Sequence, residues 1–257
     1  MDFTTFEIRD RKAYITLNRP EKRNALSPDL VGALKDDFKR AAEADDVKVI
    51  ILKSEGKAFC AGADLEYLQN LQNFSPEENH ADSNHLKELL LQIYEHRKPV
   101  IAQVEGHAIA GGCGLATVCD FVYAVDQAMF GYTEVKIGFV PAMVMLFLIR
   151  KIGESRASEL LLSGQLVDAE EAFRLGIVHK VCSRDSIVGD VERLAVQLVD
   201  GNSGASMTLT KQLIKTLPGM DLEEALNVAA ETNAKARTTE DCKKGISAFL
   251  NKQSLKW

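Results

Sequence analysis

The chain has 257 residues, of which 46% are hydrophobic and 26% charged, and its formal net charge is −6. This length allows one large domain with a sizeable core, or one domain with an appendage. The negative balance excludes a general nucleic-acid-binding surface, no apolar run is long enough to span a membrane, and an anionic ligand would require a local patch.

The cysteines and histidines indicate neither a disulfide framework nor a metal centre. The five cysteines are an odd set without a C-x-x-C pair, which favours a reducing compartment. The five histidines lack metal-ligand spacing, and solvated side chains are the default for His80 and His85 in their polar segment. The N-terminus lacks the pattern of a signal peptide. We therefore expect a cytoplasmic protein without a structural metal.

The first predicted elements are a hairpin and a helix. The hairpin has strands at 3–8 and 13–17, and a loop rich in cations follows it at 18–24. Ser27 and Pro28 predict a helix start, because serine caps helices and proline suits the first helical position. Apolar residues at helical spacing extend this helix to about Ala44.

The later elements alternate strands and helices and then become purely helical. The polar, proline-containing residues 73–82 predict an exposed, mobile loop. In chain order we predict strands at 47–52, 99–104, 121–125 and 177–181, and helices at 65–71, 86–94, 154–162, 169–175, 187–200, 205–217, 222–237 and 239–252. This pattern predicts an α/β core over 1–200 and a helical segment over 201–257.

A unit of strand, glycine-rich loop and helix occurs twice, at Phe59–Leu65 and at Gly106–Asp120. Glycines let a backbone approach a ligand closely, and a helix start presents unpaired N–H groups. The two units would direct the N–H groups of Ala63 and Gly111 at one point, which is what an oxyanion hole for a thioester enolate requires. The alternative for either loop is a tight turn between a strand and a packed helix.

Four motifs in order carry a resemblance to a known family. They are FCAGADL at 59–65, GHAIAGGCGLATVCD at 106–120, FGYTEVKIGFVP at 130–141, and LLSGQLVDAEEAFRLGIVHKV from Leu161. Together they resemble the enoyl-CoA hydratase/isomerase (crotonase) family, from the NRPEKRNALS loop to the last helix. The resemblance implies a spiral of ββα turns with a helical C-terminal segment that supports homotrimers, usually paired into homohexamers. It also implies an acyl-CoA thioester as substrate, so that CoA enters with the substrate and no separate cofactor is expected.

The resemblance also implies roles for individual residues. The N–H groups of Ala63 and Gly111 would polarise the thioester carbonyl. The residues expected near CoA are Lys22 or Arg23, Ala61, Asp64 and Leu65, with Phe249 and Lys252 reaching the nucleotide from a neighbouring subunit. For Lys22, Arg23 and Lys252 the alternative is a solvated surface cation.

The chain departs from the family pattern at one catalytic position. Hydratases of this family typically use two glutamates to hold the attacking water; Glu134 matches the second, whereas Gly114 stands at the first. The missing side chain predicts a wider acyl end of the pocket. Three nearby residues are candidate substitutes: Tyr132, Glu66 and His107. The alternative for Glu134 is an acid in a solvated loop.

Two reactions fit a single carboxylate. We predict water addition to a 2-enoyl-CoA, with Glu134 as the only general acid/base. The alternative is isomerisation of a 3-enoyl-CoA to a 2-enoyl-CoA, in which Glu134 takes a proton from carbon 2 and returns it at carbon 4. A non-catalytic CoA-binding scaffold is a third hypothesis.

Other enzyme classes fit less well. In a dinucleotide-binding fingerprint at Gly112–Gly114, the third glycine position is Thr117. A thiol enzyme using Cys60 or Cys113 lacks a partner histidine in a motif. A serine hydrolase is not indicated, because the sequence has no G-x-S-x-G.

Overall fold

The computed structural model describes residues 2–257, which form an α/β fold with two sheets. The strands are β1 Thr4–Arg9, β2 Lys12–Leu17, β3 Val49–Ser54, β4 Ala58–Cys60, β5 Val100–Val104, β6 His107–Ile109, β7 Phe121–Val125, β8 Met129–Gly131, β9 Val167–Asp168 and β10 Lys180–Cys182. The helices are α1 Pro28–Glu43, α2 Leu65–Leu71, α3 Pro76–Tyr94, α4 Gly111–Thr117, α5 Ala142–Ile152, α6 Glu154–Ser163, α7 Ala169–Leu175, α8 Ile187–Gly201, α9 Gly204–Thr216, α10 Leu222–Thr238 and α11 Glu240–Leu250.

The chain spirals between the two sheets. One sheet has the order β1-β2-β3-β5-β7-β10 and the other has the order β4-β6-β8-β9. The pairs β3 and β4, β5 and β6, and β7 and β8 each place one strand in each sheet before a helix follows. The spiral therefore has a third turn in addition to the two glycine-loop units predicted from the sequence.

The sheets are parallel except at two edges. The predicted hairpin is confirmed, because β1 pairs antiparallel with β2, and β8 pairs antiparallel with β9. The inner strands β3, β5 and β7 are parallel, β5 is fully buried, and most residues of β3 and β7 are buried. Continuous apolar runs in the sequence are typical of such doubly covered strands.

Helix α1 begins as predicted. The Ser27 hydroxyl accepts a hydrogen bond from the N–H of Leu30, and Pro28 occupies the first helical position, where its missing N–H costs nothing. The buried face of α1 includes Leu30, Leu34 and Phe38, which pack into the core.

The prediction of a mobile loop at 73–82 was wrong, because α3 begins at Pro76 and continues without interruption to Tyr94. Ser75 and Glu78 form a capping box: the Ser75 hydroxyl accepts from the Glu78 N–H, and the Glu78 carboxylate accepts from the Ser75 N–H. This segment lacks apolar periodicity because its first turns are largely exposed.

The predicted C-terminal helices are also present. Helix α8 ends at Gly201, α9 begins at Gly204, and no strand occurs after β10 within the described chain. The division of the chain into units at 1–200 and 201–257 stays a prediction. None of the helices in residues 2–257 combines the length and the apolar character needed to cross a bilayer.

Candidate functional site

The ends of three parallel strands define one edge of the second sheet. Strands β4, β6 and β8 are neighbours and run parallel. Ala63, Gly111 and Glu134 follow directly after the ends of these three strands. Because the carboxyl ends of parallel strands meet at the same edge, the fold brings the three predicted residues together, and all three line one cavity.

The backbone of Ala63 is held by a bridge to the first loop. The Leu26 N–H donates to the Gly62 carbonyl at 2.7 Å, and the Asp64 N–H donates to the Leu26 carbonyl at 2.9 Å. Since peptide groups alternate in direction along an extended segment, this bridge turns the N–H of Ala63 away from Leu26. No acceptor for the Ala63 N–H is found within residues 2–257.

Gly62 has a structural reason to be glycine. Its φ is +89°, and a Cβ atom at this position would lie 2.8 Å from the Cβ of Ala110 and 3.6 Å from the Gly111 nitrogen. The two glycine loops are therefore in direct contact, as expected for two donors that serve one oxygen.

A strained residue sets the direction of the second donor. Ala110 precedes α4 with φ 52° and ψ −125°, a conformation that costs a non-glycine residue about 1–3 kcal/mol. Its N–H donates to the Gly131 carbonyl at 2.7 Å, which ties the start of α4 to the end of β8. The N–H of Gly111, at the first position of α4, likewise has no acceptor among the described residues.

Glu134 is buried, and one of its two carboxylate oxygens has no hydrogen-bond partner in the described structure. Its residue exposure is 8%, and Oε2 has no hydrogen-bond partner within residues 2–257. Burial raises the pKa of Glu134 above its usual value, which suits a group that both accepts and donates protons. The alternative of an acid in a solvated loop is therefore wrong.

The cavity in front of these groups has a volume of about 490 Å³, and most of its lining is apolar. Its walls come from α2, α3 and the start of α5, and its apolar residues include Leu68, Leu71, Leu86, Val140 and Met143. A cavity with apolar walls and a few converging polar groups is typical of a small-molecule site.

Gly114 does not widen this cavity, contrary to the sequence-based prediction. A Cβ atom at Gly114 would lie 2.1 Å from Val144 Cγ1, far inside contact distance. The Val144 side chain, which is 4% exposed, already occupies the space that a side chain at residue 114 would need.

None of the three candidate substitutes for the missing glutamate lines the cavity in the described structure. The Tyr132 hydroxyl is 2.9 Å from Thr117 Oγ1 in the core, where it links β8 to α4. Glu66 forms a 2.8 Å ion pair with Lys22. His107 Nδ1 accepts a hydrogen bond from the Met129 N–H.

Of the residues expected near CoA, Ala61 and Leu65 line the cavity, and Leu65 is 73% exposed at its mouth. Arg23 has φ 53°, and its carbonyl accepts from the Ala61 N–H, so the first loop lies against the first glycine loop. The Lys22 ammonium is near this mouth through its pair with Glu66. Contact of these residues with CoA stays a prediction.

Asp64, which is also expected near CoA, is 6% exposed and is bound by neighbouring groups of the protein, and its contact with CoA stays a prediction. Its carboxylate accepts from the N–H groups of Glu66 and Tyr67 at the start of α2, and Oδ2 is 2.8 Å from Arg19 Nη1. Burial acts to raise the pKa of Asp64, but the Arg19 guanidinium and the two N–H donors hold it below its usual value. Asp64 thus fixes the turn between Ala63 and α2.

Phe249 and Lys252 lie at the end of α11 and immediately after it, and neither lines the cavity. Phe249 is 83% exposed. Their expected contact with a neighbouring subunit's nucleotide stays a prediction.

The structure also contains site residues that the sequence did not indicate. Asn24 fixes the first loop by donating to the Glu55 and Ala58 carbonyls at 2.8 and 2.9 Å. The Tyr67 hydroxyl donates to Asp82 at 2.7 Å on the cavity wall, and burial, together with this hydrogen bond, raises the pKa of Tyr67 to about 12. The S-x-x-E sequence at Ser75 was the available signal for α3 and hence for this wall.

The cysteines are poor candidates for a nucleophile. Burial raises the pKa of the Cys60 thiol to about 12 and that of Cys113 to about 11, and neither lines the cavity. A thiol enzyme needs an accessible thiolate, so this alternative fails on geometry and on protonation.

The sequence of the chain matches a known family and is similar to several of its members. The family model described as enoyl-CoA hydratase/isomerase matches residues 7–257. A putative enoyl-CoA hydratase from Thermus thermophilus is 42% identical over 241 residues, covering 94% of this chain and 95% of the relative. A crotonyl-CoA hydratase from Syntrophomonas wolfei is 32% identical, covering 96% of this chain and 94% of the relative.

Solved structures give the same result for the fold. An enoyl-CoA hydratase from Mycobacterium smegmatis superimposes with a TM-score of 0.94 at 31% identity, covering 99% of this chain and 98% of the other. Human enoyl-CoA hydratase domain-containing protein 3 has a TM-score of 0.92 at 30% identity, with 99% and 100% coverage. The predicted crotonase-like fold is thereby confirmed.

Proposed function

The chain belongs to the enoyl-CoA hydratase/isomerase family, and from that premise we propose that it forms the enolate of an acyl-CoA thioester and adds water to a 2-enoyl-CoA. The observation that carries the proposal is the buried carboxylate of Glu134, whose Oε2 has no hydrogen-bond partner in the described residues, in the same cavity as two backbone donors without acceptors. The hydratase names of the relatives support the choice of water addition.

The two donors act on the thioester oxygen. The N–H groups of Ala63 and Gly111 would donate to this oxygen, whose negative charge grows as the enolate forms. Donors that are already fixed by the backbone need no reorganisation when the charge develops, and removal of one such donor typically costs about 10²–10³ in rate. The bridge at Leu26 and the strained Ala110 are the features that hold them in place.

Glu134 would transfer the proton. As the water oxygen bonds to carbon 3, the carboxylate takes a proton from that water and the π electrons of the C2–C3 double bond move onto the thioester oxygen. The protonated Glu134 then returns the proton to carbon 2. One hydrogen and one hydroxyl are added in total, so a single carboxylate completes the reaction.

Double-bond isomerisation is the second candidate. The lack of a side chain at Gly114 on α4 favours it. Glu134 and Asp82 are the acids that line the cavity in the described residues, and Asp82 lies on α3 paired with Tyr67. Since Gly114 has no side chain, and Gly111 is the residue of α4 that lines the cavity in the described structure, α4 contributes no side chain that could hold water. Moving a proton from carbon 2 to carbon 4 requires Glu134 alone.

We propose further that CoA lies along the mouth formed by Ala61 and Leu65, with Lys22 or Arg23 near its phosphates. Phe249 and Lys252 would approach the nucleotide from a neighbouring subunit in a homotrimer or homohexamer. Because the Asp64 carboxylate is already bound by Arg19 and α2, its contribution would be to hold this mouth in shape.

The test uses 2-hexenoyl-CoA and 3-hexenoyl-CoA with the purified protein and with Glu134→Gln. Formation of 3-hydroxyhexanoyl-CoA supports water addition, and formation of 2-hexenoyl-CoA from the 3-enoyl isomer supports isomerisation. Glu134→Gln should lower either rate by about 10²–10⁴-fold. Unchanged rates in this variant would reject the role of Glu134, and binding of both thioesters without turnover would show a scaffold.

A further inference from the structure

Gly114 and Val144 occupy complementary space at the cavity. A Cβ atom at Gly114 would lie 2.1 Å from Val144 Cγ1 and 2.7 Å from Val144 Cβ. Both distances are shorter than any normal contact between non-bonded carbon atoms. Because Gly114 of α4 has no side chain, Val144 of α5 can occupy this space.

The Val144 side chain cannot move out of this position easily. β-branched residues in helices are largely restricted to one χ1 rotamer, and Val144 lies in the first turn of α5. Because Val144 Cβ is itself too close, alanine at residue 144 would still clash with a side chain at residue 114. Glycine at residue 144 is the one replacement that frees the space, so a side chain at residue 114 requires a change at both positions.

The location of the pair connects it to the chemistry. Val144 lines the same cavity as Glu134 and Gly111, and it is almost fully buried. Gly111 and Gly114 are three residues apart on α4 and hence lie on one face of that helix. The methyl groups of Val144 thus cover the part of α4 that continues from the Gly111 donor into the cavity.

We propose that Val144 is a specificity-determining residue, which occupies the space at Gly114 and thereby lowers water addition relative to double-bond migration. The inference rests on the proposed enolate chemistry at Glu134. Migration breaks a C–H bond at carbon 2 and forms one at carbon 4, and the proton stays on Glu134 between these steps. Hydration needs a water held in place while its oxygen bonds to carbon 3, and methyl groups offer that water no hydrogen bond.

The first test is Val144→Thr, which keeps the size and branching of the side chain and replaces one methyl group by a hydroxyl. The rates of hydration of 2-hexenoyl-CoA and isomerisation of 3-hexenoyl-CoA are measured for each protein, and their ratio is compared. The ratio should rise by about threefold or more in Val144→Thr, because one hydrogen bond to a water contributes at that level. A ratio equal to that of the unmodified protein would overturn the proposal.

The second test exchanges the pair in the variant Gly114→Glu/Val144→Gly. Its hydration-to-isomerisation ratio should rise by about tenfold or more, since a general acid/base contributes about 10²–10⁴-fold. The matched control is Gly114→Gln/Val144→Gly, which has the same shape without a proton-transfer group and should show a smaller rise.

Gly114→Glu alone should be destabilised by the clash with Val144. Equal ratios for the Glu and Gln variants would contradict the proposal, and thermal unfolding verifies that both are folded.

Deuterium exchange separates this inference from the proposed function. Incorporation of deuterium from D₂O at carbon 2 of hexanoyl-CoA reports enolate formation without either overall reaction. Loss of exchange in Glu134→Gln with an unchanged ratio in Val144→Thr would reject the inference and support the proposed chemistry. Exchange that is unaffected by Glu134→Gln, or absence of both reactions from the unmodified protein, would reject the proposed function and the inference with it.

Discussion

The spiral core and the C-terminal helices are stabilised in different ways. Buried apolar residues occur in most elements up to α8, including strands such as β3 and β5 that are buried on both faces. In contrast, α9 buries only Lys211, α10 buries no residue and α11 buries only Ala248. The spiral core therefore buries its apolar residues within itself, whereas the C-terminal helices bury almost none.

Polar contacts attach the C-terminal helices to the spiral. Lys211 Nζ donates to the Lys98 carbonyl at 3.1 Å and to Asp120 Oδ2 at 2.5 Å. Large apolar side chains in this segment remain exposed: Ile214, Leu222, Leu226, Ile246, Phe249 and Leu250. The difference indicates that the geometry of the site depends on the spiral, while the C-terminal helices present exposed apolar side chains of the kind that interaction surfaces contain.

The largest effect is expected in the core, at Glu134. Its pKa is raised by burial, so the fraction of carboxylate available to take a proton increases as the pH rises through that shifted value. We expect kcat/KM to rise with pH over a range above 4.5, the usual pKa of glutamate, and to level off at higher pH. A pH–rate profile measures this. A profile that levels off near or below the usual pKa would contradict the assignment.

Glu134 should also lower the free energy of unfolding of the protein at neutral pH. The folded-state pKa of Glu134 exceeds its unfolded value, so the folded state binds more protons and its stability decreases as pH rises between the two values. Glu134→Gln should therefore be more stable than the unmodified protein at neutral pH, with a gain that vanishes below about pH 4. Urea unfolding at several pH values tests this, and a gain independent of pH would have another cause.

The next effect concerns the attachment of the C-terminal helices. Asp120→Asn leaves the Lys211 ammonium, with 8% side-chain exposure, without its counterion. Breaking a buried ion pair of this kind should lower the free energy of unfolding by about 3 kcal/mol. Asp126→Asn, at an exposed acid after β7, is the control and should change stability by less than about 0.5 kcal/mol. Equal urea midpoints for the two variants would show that the pair does not hold the segment.

The sequence predicts those parts of the core whose structure depends on residues that are close together in the chain. Ser27 and Pro28 determine the start of α1, and glycine loops accompany the two spiral turns that contain Ala63 and Gly111. The third turn was not predicted from the residues, because β8 is followed by Tyr132-Thr133-Glu134 and not by a glycine-rich loop like those after β4 and β6. The first turns of α3 were missed because an exposed helix shows no apolar period, although Ser75 and Glu78 gave a capping signal.

The relation between Gly114 and Val144 could not be predicted in the same way. The two residues lie on different helices, and the clash depends on how closely α5 packs on α4. A glycine in the sequence indicates a missing side chain but not which neighbour fills its place. The pairing of Arg19 with Asp64 is similar, because it depends on the approach of the first loop to α2.

A smaller effect is expected at the exposed surface of the C-terminal helices. If a second copy of the chain covers this surface, Phe249→Ser should weaken self-association by about tenfold or more, because it removes a large apolar contact. Val188→Ser is the control, since Val188 is 56% exposed on α8 of the core. Sedimentation equilibrium measures the dissociation constants. An unmodified protein that sediments at its monomer mass of 28.3 kDa would exclude self-association under those conditions.

The smallest effect separates the two regions most directly, through a matched pair of helix caps. The Asp168 carboxylate accepts from the Glu171 N–H at 2.7 Å in the core, and the Asp221 carboxylate accepts from the Glu224 N–H at 2.9 Å at the start of α10. Replacing either aspartate by alanine removes one cap and costs about 1 kcal/mol.

Since α7 buries Ala169 and Ala172, Asp168→Ala should lower the global stability of the protein. Helix α10 buries no residue, so Asp221→Ala should instead accelerate amide hydrogen exchange within α10 and leave the core amides unchanged. Faster exchange throughout the core in Asp221→Ala would show that the two regions unfold as one unit.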